Sequence, residues 1–292
     1  MSPVSVRAAA KINLHLGVGA VRPDGFHPLD TVYQAISLHD EVTVERAAGW
    51  SLTMTTAEYV DAAGIPLDDS NLVSRAAALL GGPGATVSIR KRIPVAGGMA
   101  GGSADAAAAL VALDRLWDVQ TPPQRMAELA AELGSDVPFA LVGGTAHGIG
   151  RGEVVGPVDD PGAWWWVVVP AAVGLSTPEV YRRFDELRPD AGDPTPSDAV
   201  LRALTSTDPA LLAQVLHNDL EPAVLDLRPE LVDVIAAGQA AGALRGMVSG
   251  SGPTCVFLCS DETSAEVVAE RLRASYDVVL TARGPVPGAI GS

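Results

Sequence analysis

The chain has 292 residues, of which 48% are hydrophobic, and a net charge of −15 at pH 7. This composition indicates a globular protein, and its negative field repels nucleic acids and anionic membranes, so we expect neither as a partner. No apolar run reaches the length of a membrane span, and residues 1–7 lack the apolar core of a signal peptide. We therefore expect a cytoplasmic protein.

The first ninety residues are predicted to form mainly β-strands. Apolar residues alternate with Lys11, Asn13 and His15 between positions 8 and 18, which predicts a strand with one buried face and these polar side chains on the other. Further strands are predicted at 30–37, 41–46, 51–55 and 86–92, and Asp69-Ser70 caps a helix that ends at 81–82. The basic cluster 90–92 is either a local positive patch for an anion or a solvated strand end.

The most informative segment is a run of glycines and small residues at 94–106, which opens an alanine-rich helix through Leu116. A loop with few side chains brings backbone amides close to an anion, and a helix N-terminus adds unpaired N–H groups. We interpret the run as a phosphate-binding loop; the alternative is a tight crossing of two backbone segments. It is not a Walker loop, which needs Lys and then Ser or Thr where Ser103 and Ala104 follow Gly102.

A second candidate for chemistry is Asp136, which follows a helix predicted at 122–133 and precedes Pro138. Such an Asp either caps the next helix, with Pro138 in its first turn, or accepts a proton from a substrate hydroxyl. A nearby ammonium such as Lys11 would keep the carboxylate ionised and stabilise developing negative charge. Taken alone, the segment favours a helix-capping role for Asp136. Together with a phosphate-binding loop, it favours a role in phosphoryl transfer.

The composition changes at residues 158–162, so we expect two α+β domains, at 1–160 and 161–292. In the second domain we predict a strand at 164–170, an exposed loop at 188–197, helices to about 241, a strand at 254–259, a helix at 262–274 and a strand at 278–283. The tail after residue 284 is expected to be loose.

Cys255 and Cys259 lie too far apart in a strand to form a disulfide, which predicts reduced, buried thiols and no cysteine-rich metal site.

The glycine run resembles the second motif of the GHMP kinases, a superfamily of small-molecule kinases, although Ala96 and Ala100 stand where glycine is common and are expected to have negative φ. The resemblance extends over most of the chain, through segments 10–14, 22–27, 94–106, 134–138 and 250–254. Their order is similar to that of the branch whose acceptor is an erythritol carried on cytidine diphosphate, in non-mevalonate isoprenoid synthesis. It implies an α+β, two-domain GHMP kinase fold: an N-terminal domain like the second domain of ribosomal protein S5, with a left-handed βαβ unit, and a ferredoxin-like C-terminal domain.

The resemblance also implies roles for individual residues. Asp136 matches the base that takes the proton from the 2-hydroxyl of the acceptor, and Lys11 pairs with it and steadies the phosphoryl group. The ATP-binding positions are Asn71, Pro94, Val95, Ala96, Gly97, Gly98, Met99, Ala100, Gly101, Gly102, Ser103 and Ala104. The substrate-binding positions are Asn13, Phe26, His27 and Tyr181; Phe26 and His27 match residues that hold the cytosine, and Tyr181 matches an aromatic residue on its other side, so that the base stacks between two rings. For Asn71 and His27, the alternatives are an ordinary helix-start residue and an ordinary turn histidine.

ATP and Mg²⁺ are the expected cofactors. The glutamate that some relatives use for the metal is not identifiable, so Mg²⁺ is expected to arrive with ATP, held mainly by phosphates and water, with unknown protein ligands. The carboxylate of Asp105, beside the loop, either faces the metal or turns away. Another GHMP kinase of the homoserine or mevalonate type and a non-catalytic nucleotide-binding relative remain alternatives. We expect a small-molecule substrate with a cytidine diphosphate moiety, and a monomer or weak homodimer.

Overall fold

A computed structural model describes residues 2–95 and 97–291, so the predicted phosphate contact of Ala96 lies outside the described residues. The strands are β1 (Val4–Val18), β2 (Leu29–Arg46), β3 (Ser51–Thr56), β4 (Ala85–Lys91), β5 (Thr145–Gly150), β6 (Val154–Pro157), β7 (Trp164–Val169), β8 (His217–Asn218), β9 (Arg245–Val248), β10 (Cys255–Cys259) and β11 (Leu280–Gly284). The helices are α1 (Leu72–Leu80), α2 (Gly101–Trp117), α3 (Pro123–Leu133), α4 (Val137–Val142), α5 (Thr177–Leu187), α6 (Asp198–Leu204), α7 (Pro209–Val215), α8 (Glu221–Leu227), α9 (Leu231–Ala240) and α10 (Glu262–Arg273). Within the described ranges, no helix combines the length and apolar character needed to cross a membrane.

The first sheet is built around β2, which pairs with β1, β4 and β5 in antiparallel fashion. The strand order is β3-β4-β2-β1-β8, and β6 is added beyond β5. Two strands were predicted where β2 is continuous; the register with β1 shifts between Ala9 and Ala10, near the predicted break. The parallel pair β3 and β4 is connected through α1.

From Ala8 to Val18, strand β1 is buried on both faces, so the expectation of one exposed face was wrong for this part. Its apolar side chains pack in a core with the alanine-rich α2, whose small residues let the helix lie close to the sheet. The polar side chains of Lys11, Asn13 and His15 are 7%, 2% and 3% exposed. They are covered by segments from the second half of the chain, including Thr195, whose carbonyl lies 2.8 Å from His15 Nε2.

The second sheet has the order β11-β7-β10-β9, with every neighbouring pair antiparallel. Numbered along the chain, this is the order 4-1-3-2, with helices after the first and third strands and a turn between the second and third, as the ferredoxin-like prediction requires. The short strands β8 and β9 were not predicted, because two and four residues carry little periodicity. Cys255 and Cys259 are buried and free in β10, and burial raises the pKa of both thiols to about 12.

The C-terminal tail is packed rather than loose, so that expectation was wrong for residues 284–291. Val286 N donates to Ala35 O on β2 at 3.1 Å, and Gly288 N donates to Val142 O at 3.3 Å. Ala289 is fully buried. Small residues allow the tail to lie against α4 and β2. The domain division at residue 160 stays a prediction, and β8, from the second half, joins the first sheet beside β1.

Lys91 is buried between two carboxylates, so neither interpretation of the basic cluster fits it. Its Nζ donates to Asp40 Oδ2 at 2.6 Å and to Asp105 Oδ2 at 2.8 Å. Asp40 Oδ1 also accepts from the backbone N–H groups of Arg92 and Ile93. Burial, reinforced by Asp40, raises the pKa of the Asp105 carboxyl well above its ordinary value despite the neighbouring ammonium. Asp40, Lys91 and Asp105 thus form an internal cross-link between β2, β4 and α2.

Replacement of the shared cation tests this cross-link. We expect Lys91→Met to lower the free energy of unfolding by about 3–5 kcal/mol, because it leaves the buried carboxylate of Asp40 without its counterion. Urea denaturation at pH 7 measures the loss. The control is Arg90→Met, at an exposed position of the same strand, where a change within about 0.5 kcal/mol is expected. Equal losses in the two variants would contradict the buried cross-link.

The raised pKa of Asp105 predicts a pH dependence of stability. Because the folded-state pKa lies above the ordinary 3.8, folding favours the protonated carboxyl, and this stabilisation is lost as the pH rises. Relative to Asp105→Asn, which cannot ionise, the wild-type free energy of unfolding should therefore fall as the pH is raised from about 4. Urea denaturation of both proteins at several pH values measures the difference, and parallel pH curves would refute the expectation.

Candidate active site

A cavity of about 890 Å³ lies where β1, the loop before α2 and the second half of the chain meet. It is lined by most of the sequence-predicted site residues: Lys11, Asn13, Phe26, His27, Asn71, Pro94, Val95, Gly97, Gly98, Ala100, Gly101, Gly102, Asp136 and Tyr181. Met99 and Ala104 instead turn their side chains into the core, and the N–H of Ala104 is already bonded to Ala100 O. Ser103 does not line the cavity either. The lining of the cavity therefore does not support the predicted ATP contacts of Met99, Ser103 and Ala104.

Lys11 is oriented by a chain of hydrogen bonds along β1 and β2. Its Nζ donates to Asn13 Oδ1 at 2.7 Å, and Asn13 Nδ2 donates to Thr31 Oγ1 at 2.8 Å. The hydroxyl of Thr31 in turn donates to His15 O at 2.7 Å. The amide of Asn13, predicted to bind substrate, thus serves first to fix the lysine.

The turn after β9 closes over this lysine. Gly250 has a φ of +56°, and a Cβ there would lie 3.0 Å from Lys11 Nζ and 3.1 Å from Asn13 Oδ1. Asn218 holds the turn by donating to Gly250 O at 2.8 Å. A glycine is needed because the backbone approaches the ammonium so closely.

Asp136 immediately precedes α4 but does not cap it with its side chain. The capping interpretation therefore does not hold, and the carboxylate faces the cavity. No ion pair joins it to Lys11 in the part of the chain that the structure describes, so the predicted direct pairing is wrong. Tyr33 connects the two: its ring centroid lies 5.7 Å from Lys11 Nζ, and its phenol interacts with the carboxylate.

Tyr33 is a cavity residue that the sequence interpretation missed. Burial, reinforced by Asp136, raises the pKa of its phenol well above the ordinary value, so the hydroxyl stays neutral. Tyr33 on β2 pairs directly with Asn13 on β1, a contact between strands that no local sequence pattern indicates. Its ring also stacks on Phe139 of α4, with centroids 4.9 Å apart, which ties β2 to the helix that follows Asp136.

The glycines just before α2 and in its first turn fit both interpretations of the run, a phosphate-binding loop and a tight backbone crossing, each at a different position. A Cβ on Gly98 (φ +73°) would lie 2.1 Å from Ser249 O, so this glycine permits a tight backbone crossing. A Cβ on Gly102 would have its nearest neighbour, Leu72 Cδ1, at 3.8 Å, which leaves open space in the cavity. Ala100 precedes α2 with a φ of +56°, opposite to the expected sign, and provides no side-chain cap. The first-turn amides are left available to an anion.

The neighbourhood of this loop is otherwise internally bonded. Lys91 Nζ would lie 3.1 Å from a Cβ on Gly101, but its charge is shared by Asp40 and Asp105. Asp105 therefore turns toward Lys91, with Oδ1 buried and lacking a partner among the described residues. Asn71 caps α1: its Oδ1 accepts from Val73 N at 2.9 Å, as in the helix-start alternative.

An aromatic wall closes the opposite end of the cavity. The rings of His27 and Tyr181 are in contact, with centroids 4.9 Å apart, which leaves no space for a base between these two rings; stacking of the cytosine between two rings stays a prediction. His27 Nδ1 donates to Gly19 O at 2.8 Å, and burial raises the pKa of the Tyr181 phenol. Phe26 is 48% exposed, and the guanidinium of Arg151 lies 4.8 Å from its ring centroid. Phe26 thus has a free surface for a planar ligand.

Comparisons with known proteins agree with this geometry. The family model described as GHMP kinases N terminal domain matches residues 71–144, and that described as GHMP kinases C terminal matches residues 200–278. A 4-diphosphocytidyl-2-C-methyl-D-erythritol kinase of Nocardioides sp. is 59% identical over 97% of this chain and 98% of its own length. The protein of the same name from Thermobifida fusca is 53% identical over 98% and 97%.

Solved structures show the same relationship at the level of the fold. The crystal structure of a 4-(cytidine 5'-diphospho)-2C-methyl-D-erythritol kinase matches with a TM-score of 0.78 and 33% identity, covering 96% of this chain and 98% of that one. A homoserine kinase from Cytophaga hutchinsonii matches with a TM-score of 0.71 at 18% identity, over 99% and 96% of the two chains, which shows a shared fold alone. These matches confirm the two-domain GHMP kinase fold. The chain therefore belongs to the GHMP kinases, within the family of the 4-diphosphocytidyl-2-C-methyl-D-erythritol kinases.

Proposed function

We propose that the chain transfers the γ-phosphoryl group of ATP to the 2-hydroxyl of 4-diphosphocytidyl-2-C-methyl-D-erythritol, giving the 2-phosphate and ADP in isoprenoid precursor synthesis. The observation that carries the proposal is a single cavity lined by the loop before α2, by Lys11 and Asp136, and by the aromatic wall. The names of the relatives at 53% and 59% identity support this substrate.

Binding of ATP relies mainly on backbone groups in this proposal. The first-turn amides of α2 and the open space at Gly102 accept the phosphates, because unpaired N–H groups at a helix N-terminus stabilise anions. Lys11, which the turn at Gly250 and the amide of Asn13 hold in place, stabilises the charge on the transferring phosphoryl group. The fixed ammonium requires no reorganisation during the reaction.

Asp136 acts as the general base. Its carboxylate takes the proton of the 2-hydroxyl as the hydroxyl oxygen forms a bond to the γ-phosphorus, and the bond to the bridging oxygen breaks so that ADP leaves with the electron pair. The absence of a side-chain cap leaves the carboxylate available for this proton. The neutral phenol of Tyr33 stabilises and orients it.

Recognition of the cytosine rests on His27. Its Nδ1 donates to Gly19 O, so Nε2 is the ring atom left for a ligand, and it lies 3.6 Å from Asp185 Oδ2. The exposed ring of Phe26 provides a stacking surface.

Mg²⁺ would be carried by the nucleotide, where it would supply neutralisation of phosphate charge. Among residues 2–95 and 97–291, no group of three or more His, Cys, Asp or Glu side chains is placed to hold an ion. The carboxylate of Asp105 is engaged by Lys91.

Removal of the base tests the catalytic role. We expect Asp136→Asn to lower kcat by about 10²- to 10⁴-fold, the usual contribution of general acid–base catalysis, with nearly unchanged affinity for a non-hydrolysable ATP analogue. Coupled measurement of ADP release and calorimetry provide the two values. Ser135→Ala, at the neighbouring cavity position, is the matched control and should retain kcat within about threefold. Unchanged turnover in Asp136→Asn would end the assignment.

A substrate comparison tests the acceptor. We expect ADP release with 4-diphosphocytidyl-2-C-methyl-D-erythritol to exceed that with homoserine or mevalonate by at least about 10³-fold in kcat/KM, because a small acceptor leaves the aromatic wall without a ligand. Parallel assays at saturating MgATP measure the three values. A preference for either small alcohol would refute the proposed substrate, and ATP binding without turnover of any acceptor would favour a non-catalytic relative.

A further inference from the structure

The turn between β5 and β6 carries an arginine that the site described above does not use. Arg151 lines the cavity, and its side chain is 36% exposed. Its Nε donates to Glu153 Oε1 at 3.3 Å, and its guanidinium lies 4.8 Å from the ring centroid of Phe26. For its two terminal amino groups, the described residues offer no hydrogen-bond acceptor. The guanidinium is therefore fixed in position and retains donors for a ligand.

The charges around the cavity single out this residue. The proposed acceptor carries a diphosphate, and the chain has a net charge of −15, so the diphosphate needs a local cation. The cationic side chains of the lining are Lys11, Lys91, Arg151 and Arg182 among the described residues. Lys91 is held between two carboxylates, and Lys11 lies beside Asn13 and Tyr33, where the phosphoryl transfer is placed. Arg182 is exposed on α5, whereas Arg151 is half-buried, and its ion pair with Glu153 uses only Nε.

The position of the turn along the cavity matches the position of the diphosphate along the substrate. On one side, Arg151 covers the ring of Phe26, which belongs to the cytosine end. On the other side, a Cβ on Gly152 would lie 2.2 Å from Tyr33 Oη, next to Asp136 at the reacting end. In the acceptor, the diphosphate connects the nucleoside to the erythritol. The turn therefore lies between the groups that bind these two parts.

We propose that Arg151 binds the diphosphate of the acceptor substrate and so selects acceptors that carry a nucleoside diphosphate. A planar guanidinium forms paired hydrogen bonds with phosphate oxygens, which an ammonium cannot reproduce. Glu153 and the ring of Phe26 hold the fork in place before the ligand arrives. This inference rests on the proposed function, because it assigns a residue to the central part of the proposed substrate.

Calorimetric titrations with cytidine and with CDP test the proposal, in the presence of a saturating non-hydrolysable ATP analogue that excludes CDP from the loop before α2. The variant is Arg151→Met, whose side chain still packs on Phe26. We expect it to bind CDP about five- to fiftyfold more weakly, as expected for loss of a charge-assisted hydrogen bond, and to bind cytidine within twofold of wild type. Arg151→Lys should recover only part of the CDP affinity. In turnover assays, the loss should be in KM for the acceptor rather than in kcat.

Arg182→Met is the matched control, because Arg182 also lines the cavity but is exposed on α5; it should keep wild-type affinity for CDP. An equal loss of cytidine and CDP affinity in Arg151→Met would overturn the assignment and leave Arg151 as a support for Phe26. A loss of affinity for the ATP analogue in place of CDP, or a loss in Arg182→Met alone, would also overturn it. Wild-type protein that binds neither cytidine nor CDP would instead refute the proposed function itself.

Discussion

The cavity depends on a close contact between the backbones of the two halves of the chain. At Gly98 a Cβ would lie 2.1 Å from Ser249 O, and at Gly250 a Cβ would lie 3.2 Å from Gly98 O. Within the first half, the backbone N–H of Lys11 donates to Met99 O at 3.2 Å. Because β1, the loop before α2 and the turn after β9 all contribute to the lining, a side chain at either glycine would separate the segments that form the site.

The two ends of the cavity use different parts of the polypeptide. The end assigned to ATP consists largely of backbone amides, glycines and a helix start, which many side-chain sequences can supply. A homoserine kinase at 18% identity accordingly shares the fold. The end assigned to the acceptor consists of particular side chains, Phe26, His27, Arg151 and Tyr181. Differences in substrate among relatives are therefore expected at the second end.

The acidic composition of the chain limits the lysines that are available to bind anions at this site. The chain contains only two lysines, Lys11 and Lys91, within a net charge of −15. One of them is held between Asp40 and Asp105, where it joins β2, β4 and α2, so it stabilises the fold. The other is directed at the reacting end by Asn13. In the proposed function, the binding of two anionic substrates by this acidic chain thus relies on fixed local donors.

Local patterns in the chain were sufficient to predict most strands and helices. Alternation predicted β1, glycines marked the ends of α1 and α3, and the small-residue run predicted the loop before α2, because each signal depends on neighbours a few positions away. The resemblance to the GHMP kinases supplied the candidate residues, and Lys11, Asp136 and the loop line one cavity. Contacts across the fold account for the rest. The burial of both faces of β1, the packed tail, the position of Tyr33 between Lys11 and Asp136, and the contact of His27 with Tyr181 all join residues far apart in the chain. Such contacts depend on how sheets and helices pack, and no local periodicity records that packing.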